Sequence, residues 1–108
     1  MAKRGNAIRT RPASERFMEL VDPEPNTGCW LWRGVGTKGY GLFSIQSRQP
    51  KMRAHRAALL LFRGIALPKG HAVEVDHRCR QTWCVNPDHL DVVTPLENTR
   101  RKIAARQR

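Results

Sequence analysis

The sequence predicts a small α+β protein in which short antiparallel strands pack with a few helices. Short segments rich in strand-favouring residues lie between turn residues, as at residues 29–32 and 73–77. The segment at residues 54–62, which is mostly apolar, has the length of a buried helix that stops at Gly64. A helix-start signal follows a short strand near the C-terminus. A chain of 108 residues supports one domain with a modest core.

The N-terminal half is predicted to contain one helix and three strands. We expect residues 1–13 to form a flexible basic arm before a domain at residues 14–106. A short helix is expected from Ser14, because Phe17, Leu20 and Val21 have helical spacing, and Pro23 closes it. Strands are expected at residues 29–32, 40–45 and 51–53, separated by turns at 26–28, 34–39 and 46–50.

The C-terminal half is predicted to form a strand–loop–strand–helix unit at about residues 72–106. The strands are expected at residues 73–77 and 91–93. Thr94, Pro95 and Glu97 form a capping box with proline at the first helical position. The last helix is therefore expected to run from about Pro95 toward Arg106.

The charge distribution indicates a polyanionic partner. The formal net charge is +11, of which residues 1–16 contribute +4 and residues 99–108 contribute +5. Two basic ends around a nearly neutral middle favour nucleic acid over simple solubility or attraction to a membrane surface. The longest apolar run, at residues 57–62, is too short to span a membrane, and no apolar stretch follows the basic N-terminus. We therefore expect a cytoplasmic protein.

Cysteine and histidine residues cluster in a way that is typical of a zinc site. In a reducing compartment three cysteines do not form a disulfide framework. Cys79, Cys84 and His89 follow one another at intervals of five residues, and Cys29 could complete a tetrahedral Cys3His site. Such a site would be structural and would tie the N-terminal strands to the C-terminal unit. The alternative is buried thiols and an ordinary core histidine.

A second group of polar residues has the chemistry of a hydrolytic site. Asp76 and His77 end a predicted strand, and Asn98 lies in the first turn of the last helix. Carboxylate and amide oxygens suit Mg²⁺ or Mn²⁺, and a neutral imidazole is a natural general base near pH 7. Without further context, a surface Asp-His pair and an unrelated asparagine are the alternative.

The segment from Val75 to Leu90, followed by Glu97 and Asn98, resembles the HNH, or His-Me finger, nuclease superfamily. Its H-x-C-x4-C-x4-H pattern is similar to that of zinc-binding phage HNH proteins and His-Cys box homing endonucleases. Residues 28–32 and 54–57 also resemble the phage proteins, so the similarity covers roughly residues 16–102. The resemblance implies a ββα-metal motif stapled by a structural zinc.

The resemblance also implies roles for individual residues. His77 would be the general base, with Asn98 and, less uniformly in the family, Asp76 as ligands of a catalytic Mg²⁺ or Mn²⁺. Asn86 would brace the loop and orient His77. The structural zinc would be held by Cys29, Cys79, Cys84 and His89.

One position departs from the family pattern. Lys102 stands where many members have a final histidine, so the sequence fits an H-N-N version. A basic residue near the scissile phosphate is typical of the family, and Lys51 and Arg53 are the candidates. Arg100 and Arg101 are expected to contact the DNA backbone. His55 and Arg56 are equally compatible with structural and phosphate-facing roles.

The leading functional hypothesis is a metal-dependent endonuclease acting on double-stranded DNA and leaving 5′-phosphate and 3′-hydroxyl ends. The alternative is a zinc-stabilised DNA-binding module without turnover, which needs the four zinc ligands but not His77 or Asn98. One active site cuts one strand, so a double-strand break would need a homodimer, a partner or two sequential events. The resemblance suggests a phage origin and a packaging partner, and we expect loose target specificity.

Overall fold

Three small antiparallel sheets and three helices form the part of the chain that the computed structural model describes, which is residues 11–46, 49–68 and 72–106. The predicted α+β class is confirmed. The proposed arm lies mostly in residues 1–10, which are outside the described ranges. Within these ranges, no helix has the length and hydropathy needed to cross a membrane.

The predicted elements occur in the predicted order, and the structure adds two short strands at residues 21–23 and 36–37, the second of them within the turn predicted at residues 34–39. The helices are α1 (Ala13–Met18), α2 (Ala54–Arg63) and α3 (Pro95–Arg106). The strands are β1 (Val21–Pro23), β2 (Trp30–Trp32), β3 (Gly36–Thr37), β4 (Tyr40–Phe43), β5 (Met52–Arg53), β6 (Glu74–His77) and β7 (Leu90–Val93). A short 3-10 helix, Pro87–His89, precedes β7. The left-handed conformation of Gly64 (φ 67°) ends α2 as predicted.

The N-terminal strands form two separate antiparallel sheets. Strand β1 pairs with β2, and β4 lies between β3 and β5. On its other side, β2 is bridged through Leu31 to Cys84 in the C-terminal loop. On this side, the backbone hydrogen bonds of β2 join it to Trp83 and Val85 in that loop instead of to β3.

The prediction that Leu20 and Val21 lie on the first helix is wrong. Helix α1 ends at Met18, and Val21 begins β1, where it lies opposite Trp32. The Val21 side chain is buried by this pairing, while Leu20 is 36% exposed. A β-branched residue favours an extended backbone, and a nearby partner strand satisfies its hydrogen bonds. The predicted burial of Phe17 is confirmed.

The larger core is an aromatic cluster covered by an alanine face. Phe17 contacts Trp32 and Phe43, with ring centroids 4.8 Å and 5.2 Å apart. Helix α2 packs on this cluster through Ala54, Ala57 and Ala58, whose small side chains allow close approach. This core sets the position of α2, and α2 in turn supports the C-terminal unit through Leu59.

Substitution of Gly41 by alanine is expected to destabilise the fold by about 1–3 kcal/mol, because overpacking a dense core costs this much. A β-carbon at Gly41 would overlap the buried Trp32 indole, whose Nε1 donates to the carbonyl of Val35 at 2.9 Å. Urea unfolding monitored by circular dichroism measures the loss. Adding Trp32→Leu should recover part of it, since a smaller side chain makes room. Strictly additive effects of the two changes would contradict the explanation.

The C-terminal unit is a ββα arrangement. Strands β6 and β7 pair antiparallel from Glu74 opposite Val93 to His77 opposite Leu90. Helix α3 follows, and its bounds coincide with the prediction. The Thr94 hydroxyl caps it by accepting from the Glu97 N–H at 3.2 Å. Glu97 does not complete the reciprocal half of the capping box, because its carboxylate pairs with Arg101.

Candidate functional site

Four side chains converge on a geometry that fits zinc. The ligand atoms of Cys29, Cys79, Cys84 and His89 all lie within 4.8 Å of one another. The His89 Nδ1 atom is 3.6 Å from the Cys29 sulfur and 3.5 Å from the Cys84 sulfur. A tetrahedral ion with Zn–S near 2.3 Å and Zn–N near 2.0–2.1 Å places sulfur and nitrogen ligands about 3.6 Å apart. The donor set and spacing therefore fit a closed Cys3His zinc site.

The ligands reach this point from elements far apart in the chain. Cys29 precedes β2, and Cys84 bridges to β2 through Leu31. Cys79 lies in the turn after β6, beside Arg80, whose positive φ of 64° tightens that turn. His89 ends the 3-10 helix. The group thus connects the first hairpin to the ββα unit, as a structural staple would.

Asn86 braces the same loop. Its side-chain oxygen accepts from the backbone N–H of Asp88 at 2.9 Å and caps the 3-10 helix. Its Nδ2 donates to the carbonyl of Gly28 at 2.7 Å, next to Cys29. Asn86 therefore joins the two segments that carry Cys29 and His89, and its side chain makes these contacts instead of reaching His77.

The thiol environment also favours a bound cation. Burial raises the pKa of Cys84 to about 12, and it raises the pKa of Cys79. Desolvation penalises the thiolate form, and neighbouring thiols add to the penalty at Cys84. A divalent cation would supply the missing positive charge and favour the thiolates, which are the form that binds metal.

A separate cleft lies beside β6. Asp76, His77 and Asn98 are each buried, with 6%, 6% and 7% exposure. They line one cavity of about 230 Å³, where α3 crosses the end of the β6–β7 hairpin. The structure therefore brings together the three residues that the sequence singled out. The other lining residues are Tyr40, Val75, Arg80, Thr82 and Lys102.

Two buried polar atoms in this cleft lack a hydrogen-bonding partner among the described residues. They are Nε2 of His77 and Oδ1 of Asn98. The Asn98 Nδ2 donates to Glu74 at 2.6 Å, so Oδ1 is the amide atom that is left without a partner. Leaving such atoms unpaired is costly in a folded protein, so a ligand or solvent is expected to satisfy them. An unpartnered amide oxygen fits a hard divalent cation, and an unpartnered imidazole nitrogen fits a water molecule.

The environment of His77 keeps the imidazole neutral. Burial lowers its pKa, while the Asp76 carboxylate and a backbone hydrogen bond at Cys84 partly oppose that shift. The same backbone segment carries a zinc-type ligand. The hydrogen bond at Cys84 thus connects the loop that carries the zinc-type ligands to the ring of His77.

Asp76 is held by arginines. Its Oδ2 atom accepts from Nη1 of Arg101 at 3.0 Å, and its Oδ1 lies 3.6 Å from Nη1 of Arg80. Arg101 also contacts Asp91 at 2.9 Å and Glu97 at 3.1 Å. Hydrogen bonds to these carboxylates raise the pKa of Arg101. A metal ion at Asp76 would share this carboxylate with the guanidinium groups, so Asn98 offers the less encumbered oxygen.

The other basic residues occupy different surroundings. Arg53 and Lys102 face a second cavity beside the cleft, and Lys102 also lines the cleft itself. Lys51 lines a separate cavity with Arg16 and Arg33. Arg100 is exposed on α3. Asn98 and Lys102 are four residues apart on one helix and therefore lie on the same face. This spacing was the sequence signal that could have placed Lys102 in the site.

His55 is a site residue that the sequence did not assign. Its ring is 8% exposed and stacks on His77, with centroids 5.1 Å apart and planes 8° from parallel. Burial, together with smaller contributions from the nearby His77, Arg56 and Arg53, lowers its pKa to about 3. His55 therefore supports the ring of His77 as a neutral, buried partner.

Acidification is expected to destabilise the fold through His55. An unfolded chain protonates this histidine near its usual pKa of about 6.5, whereas the folded chain does so at about 3. Between these values the unfolded state binds more protons, so stability is present above pH 6.5 and is lost as the pH falls. From pH 7 to pH 5 the loss should be about 2 kcal/mol.

The matched variant for this prediction is His55→Gln. Urea unfolding at pH 7 and pH 5 should show a loss smaller by about 2 kcal/mol in the variant than in the wild type. Protonation of metal-binding side chains affects both proteins equally, so the difference isolates His55. Parallel losses in the two proteins would show that His55 is not kept neutral by the fold.

Two comparisons with known proteins find similarities to this chain. Residues 52–100 match a family model described as HNH endonuclease, a segment that contains Asp76, His77 and Asn98. The chain is similar to Protein 2.8 of Escherichia phage T7, with 35% identity over 86 residues. The alignment covers 79% of this chain and 55% of the relative, so the chain spans about half the length of the curated relative it matches. No solved structure matches the chain.

Proposed function

Since residues 52–100 belong to the HNH endonuclease family, we propose that this protein is a metal-dependent DNA endonuclease with His77 as its general base. The observation that carries the proposal is the shared cavity of His77 and Asn98, each with a buried polar atom unpartnered within the described ranges. The proposed general base and the proposed metal-binding residue thus line the same cavity of about 230 Å³.

His77 would remove a proton from the attacking water through Nε2. Burial keeps this nitrogen unprotonated at neutral pH, because it lowers the pKa of the ring. Stacking on His55 and the backbone hydrogen bond at Cys84 hold the ring in place. A general base in this position typically accelerates hydrolysis by about 10²–10⁴-fold.

Asn98 and Asp76 would hold the catalytic cation. When bound, Mg²⁺ or Mn²⁺ supplies positive charge for the phosphate oxygens and for the leaving 3′ oxygen. Asn98 contributes its free Oδ1, and Glu74 fixes the orientation of the amide by accepting from Nδ2. Arg101 positions the Asp76 carboxylate through the pairing described above. The proposed products carry 5′-phosphate and 3′-hydroxyl ends.

The basic residues around the cleft would bind the DNA backbone. The candidate phosphate contacts are Lys51, Arg53 and Arg100. Lys102, which lines the cleft, is a further candidate. Arg101 has three carboxylates around it, which supports a positioning role more than a free contact to DNA. The structural metal would be zinc on Cys29, Cys79, Cys84 and His89.

Cleavage of supercoiled plasmid tests the proposal. The purified protein should convert the supercoiled form to nicked or linear DNA with Mg²⁺ or Mn²⁺, and EDTA added just before the DNA should prevent this. The nicks should be sealed by DNA ligase, which requires 5′-phosphate and 3′-hydroxyl ends. No cleavage with either metal, by protein that is folded and loaded with zinc, would contradict the proposal.

One observation favours a second candidate function. The ion pairs of Asp76 with Arg101 and Arg80 occupy a carboxylate that catalysis would need for its metal. A zinc-stabilised DNA-binding module without turnover has no such need. Retarded migration of duplex DNA together with an unchanged plasmid in the cleavage assay identifies this module.

The number of DNA strands that are cut depends on how the chains assemble. One cleft per chain cuts one strand, so linear product would require a homodimer, a packaging partner or two successive events. Sedimentation in the presence of duplex DNA separates the first of these from the others. Similarity to a phage protein supports a phage origin, with action in the cytoplasm of a bacterial host.

A further inference from the structure

A second cavity of about 280 Å³ adjoins the cleft. The two cavities share Tyr40, Val75, Asn98 and Lys102 as a common wall. The second cavity is completed by Arg53, His55, Arg56 and Glu74, and we call these four residues the basic lobe. Any group bound in the basic lobe would therefore lie next to a group bound beside His77.

Arg53 presents an unused guanidinium to this space. Its Cζ atom lies 4.8 Å from the centre of the Tyr40 ring, which holds the side chain over an aromatic face. Its Nη1 atom is buried and has no hydrogen-bonding partner in the described part of the chain. Leaving a buried guanidinium nitrogen without a partner is energetically costly, so an acceptor is expected from outside the described residues.

The neighbouring cations are also free of carboxylate partners. Within the described ranges, neither Arg56 nor Lys102 takes part in an ion pair. Arg56 donates to the backbone carbonyls of Pro68 and Val73, which fixes its position and leaves its charge uncompensated. Arg53, Arg56 and Lys102 thus differ from Arg101, whose charge is compensated by three carboxylates.

The remaining lining does not cancel this charge. Glu74 is the single acid of the basic lobe, and it accepts from Asn98 Nδ2 at 2.6 Å. His55 is neutral because burial lowers its pKa to about 3. The basic lobe with Lys102 therefore carries a formal excess of two positive charges, from three cations and one carboxylate. This charge and the forked donors of arginine suit a phosphate group.

We infer that the basic lobe binds a second phosphate of the DNA strand, the one next to the phosphate that is cleaved. This inference rests on the proposed endonuclease function. Consecutive phosphates follow one another at every nucleotide, so an anion site that shares a wall with the cleavage cavity is placed to take the neighbour. Arg53 is the main ligand of this second phosphate, and Lys102 lies between the two phosphates.

Nucleotides with one or two phosphates test the inference without requiring cleavage. Calorimetry compares thymidine 3′,5′-bisphosphate with thymidine 5′-phosphate, thymidine 3′-phosphate and inorganic phosphate, in Ca²⁺ buffer. The wild type should bind the bisphosphate on the order of tenfold more tightly than either monophosphate, as one charge-assisted contact provides. In Arg53→Gln this gain should fall below about threefold.

Arg33→Gln is the matched control, because it removes a guanidinium group that lines a different cavity. It should keep the tenfold gain. Arg53→Lys provides a second variant, which retains the charge but loses the fork, and it should keep only part of the gain. Circular dichroism and zinc content establish that each variant is folded.

Several outcomes would overturn the inference. They are equal binding of bisphosphate and monophosphates by the wild type, a full gain in Arg53→Gln, and inorganic phosphate binding as tightly as the bisphosphate. Plasmid cleavage by the same preparation reports on the proposed function separately. Cleavage without a bisphosphate gain refutes only the second phosphate site. A gain without cleavage refutes the endonuclease function and leaves an anion site in the basic lobe.

Discussion

Removal of zinc is expected to unfold this protein. Structural zinc contributes about 10–16 kcal/mol in small zinc-binding peptides, whereas whole domains are stable by only about 5–15 kcal/mol. Here the four candidate ligands would join the first hairpin to the ββα unit, and the two hydrophobic clusters of the described residues are small. Loss of the ion would also leave the buried Cys84 thiol without its partner charge.

Circular dichroism during titration with a zinc chelator measures this effect. The helical and strand signals should disappear as zinc leaves and should return when zinc is restored. His89→Gln should purify without zinc and unfolded. His55→Gln is the matched control, because it changes a buried histidine outside the zinc group, and it should retain one zinc per chain. A metal-free protein that keeps a cooperative thermal transition would contradict the structural role.

Replacement of His77 by alanine is expected to abolish plasmid cleavage, with a loss of about 10²–10⁴-fold in rate. Its Nε2 is buried and has no hydrogen-bonding partner among the described residues, and its side chain lines the cavity that Asn98 shares. Removing the ring leaves the zinc ligands and the helices in place, so the variant should stay folded and bind one zinc ion. Single-turnover cleavage with excess protein separates this loss of chemistry from weaker DNA binding.

The control for a contaminating nuclease is Glu15→Gln, an exposed substitution on α1 that is purified in the same way. It should cleave at the wild-type rate. If His77→Ala cleaves as fast as Glu15→Gln, His77 is not the base. If DNA binding is also lost in His77→Ala, the residue acts in binding and the single-turnover rate at saturating protein will recover.

Local sequence signals predicted most elements, because their causes lie within a few residues. The Thr94 cap and Pro95 define the start of α3, and Gly64 ends α2 by adopting a left-handed conformation. The failure at Val21 has the opposite origin. Its helical spacing with Phe17 was a local signal, but pairing with β2 depends on a strand that follows several residues later.

The candidate site was predictable to the extent that residue type carries the chemistry. Three cysteines and a histidine indicate a soft-ligand site, and a separate aspartate, histidine and asparagine indicate a hard-ligand site. The structure brings each set together. From spacing alone, buried thiols remained an alternative to the zinc site, and a surface Asp-His pair remained an alternative to the hydrolytic site. Spacing does not show whether distant segments converge.

The sequence by itself therefore determined the α+β class, the bounds of α3 and the residue types available for metal and base chemistry. Only the tertiary structure decided that His55 stacks on His77, that Arg101 holds Asp76 and that Arg53 faces a second cavity with an unpartnered nitrogen. Each of these contacts joins side chains from different elements. Their distances depend on how α2, α3 and the β6–β7 hairpin pack, and that packing is set by the whole core.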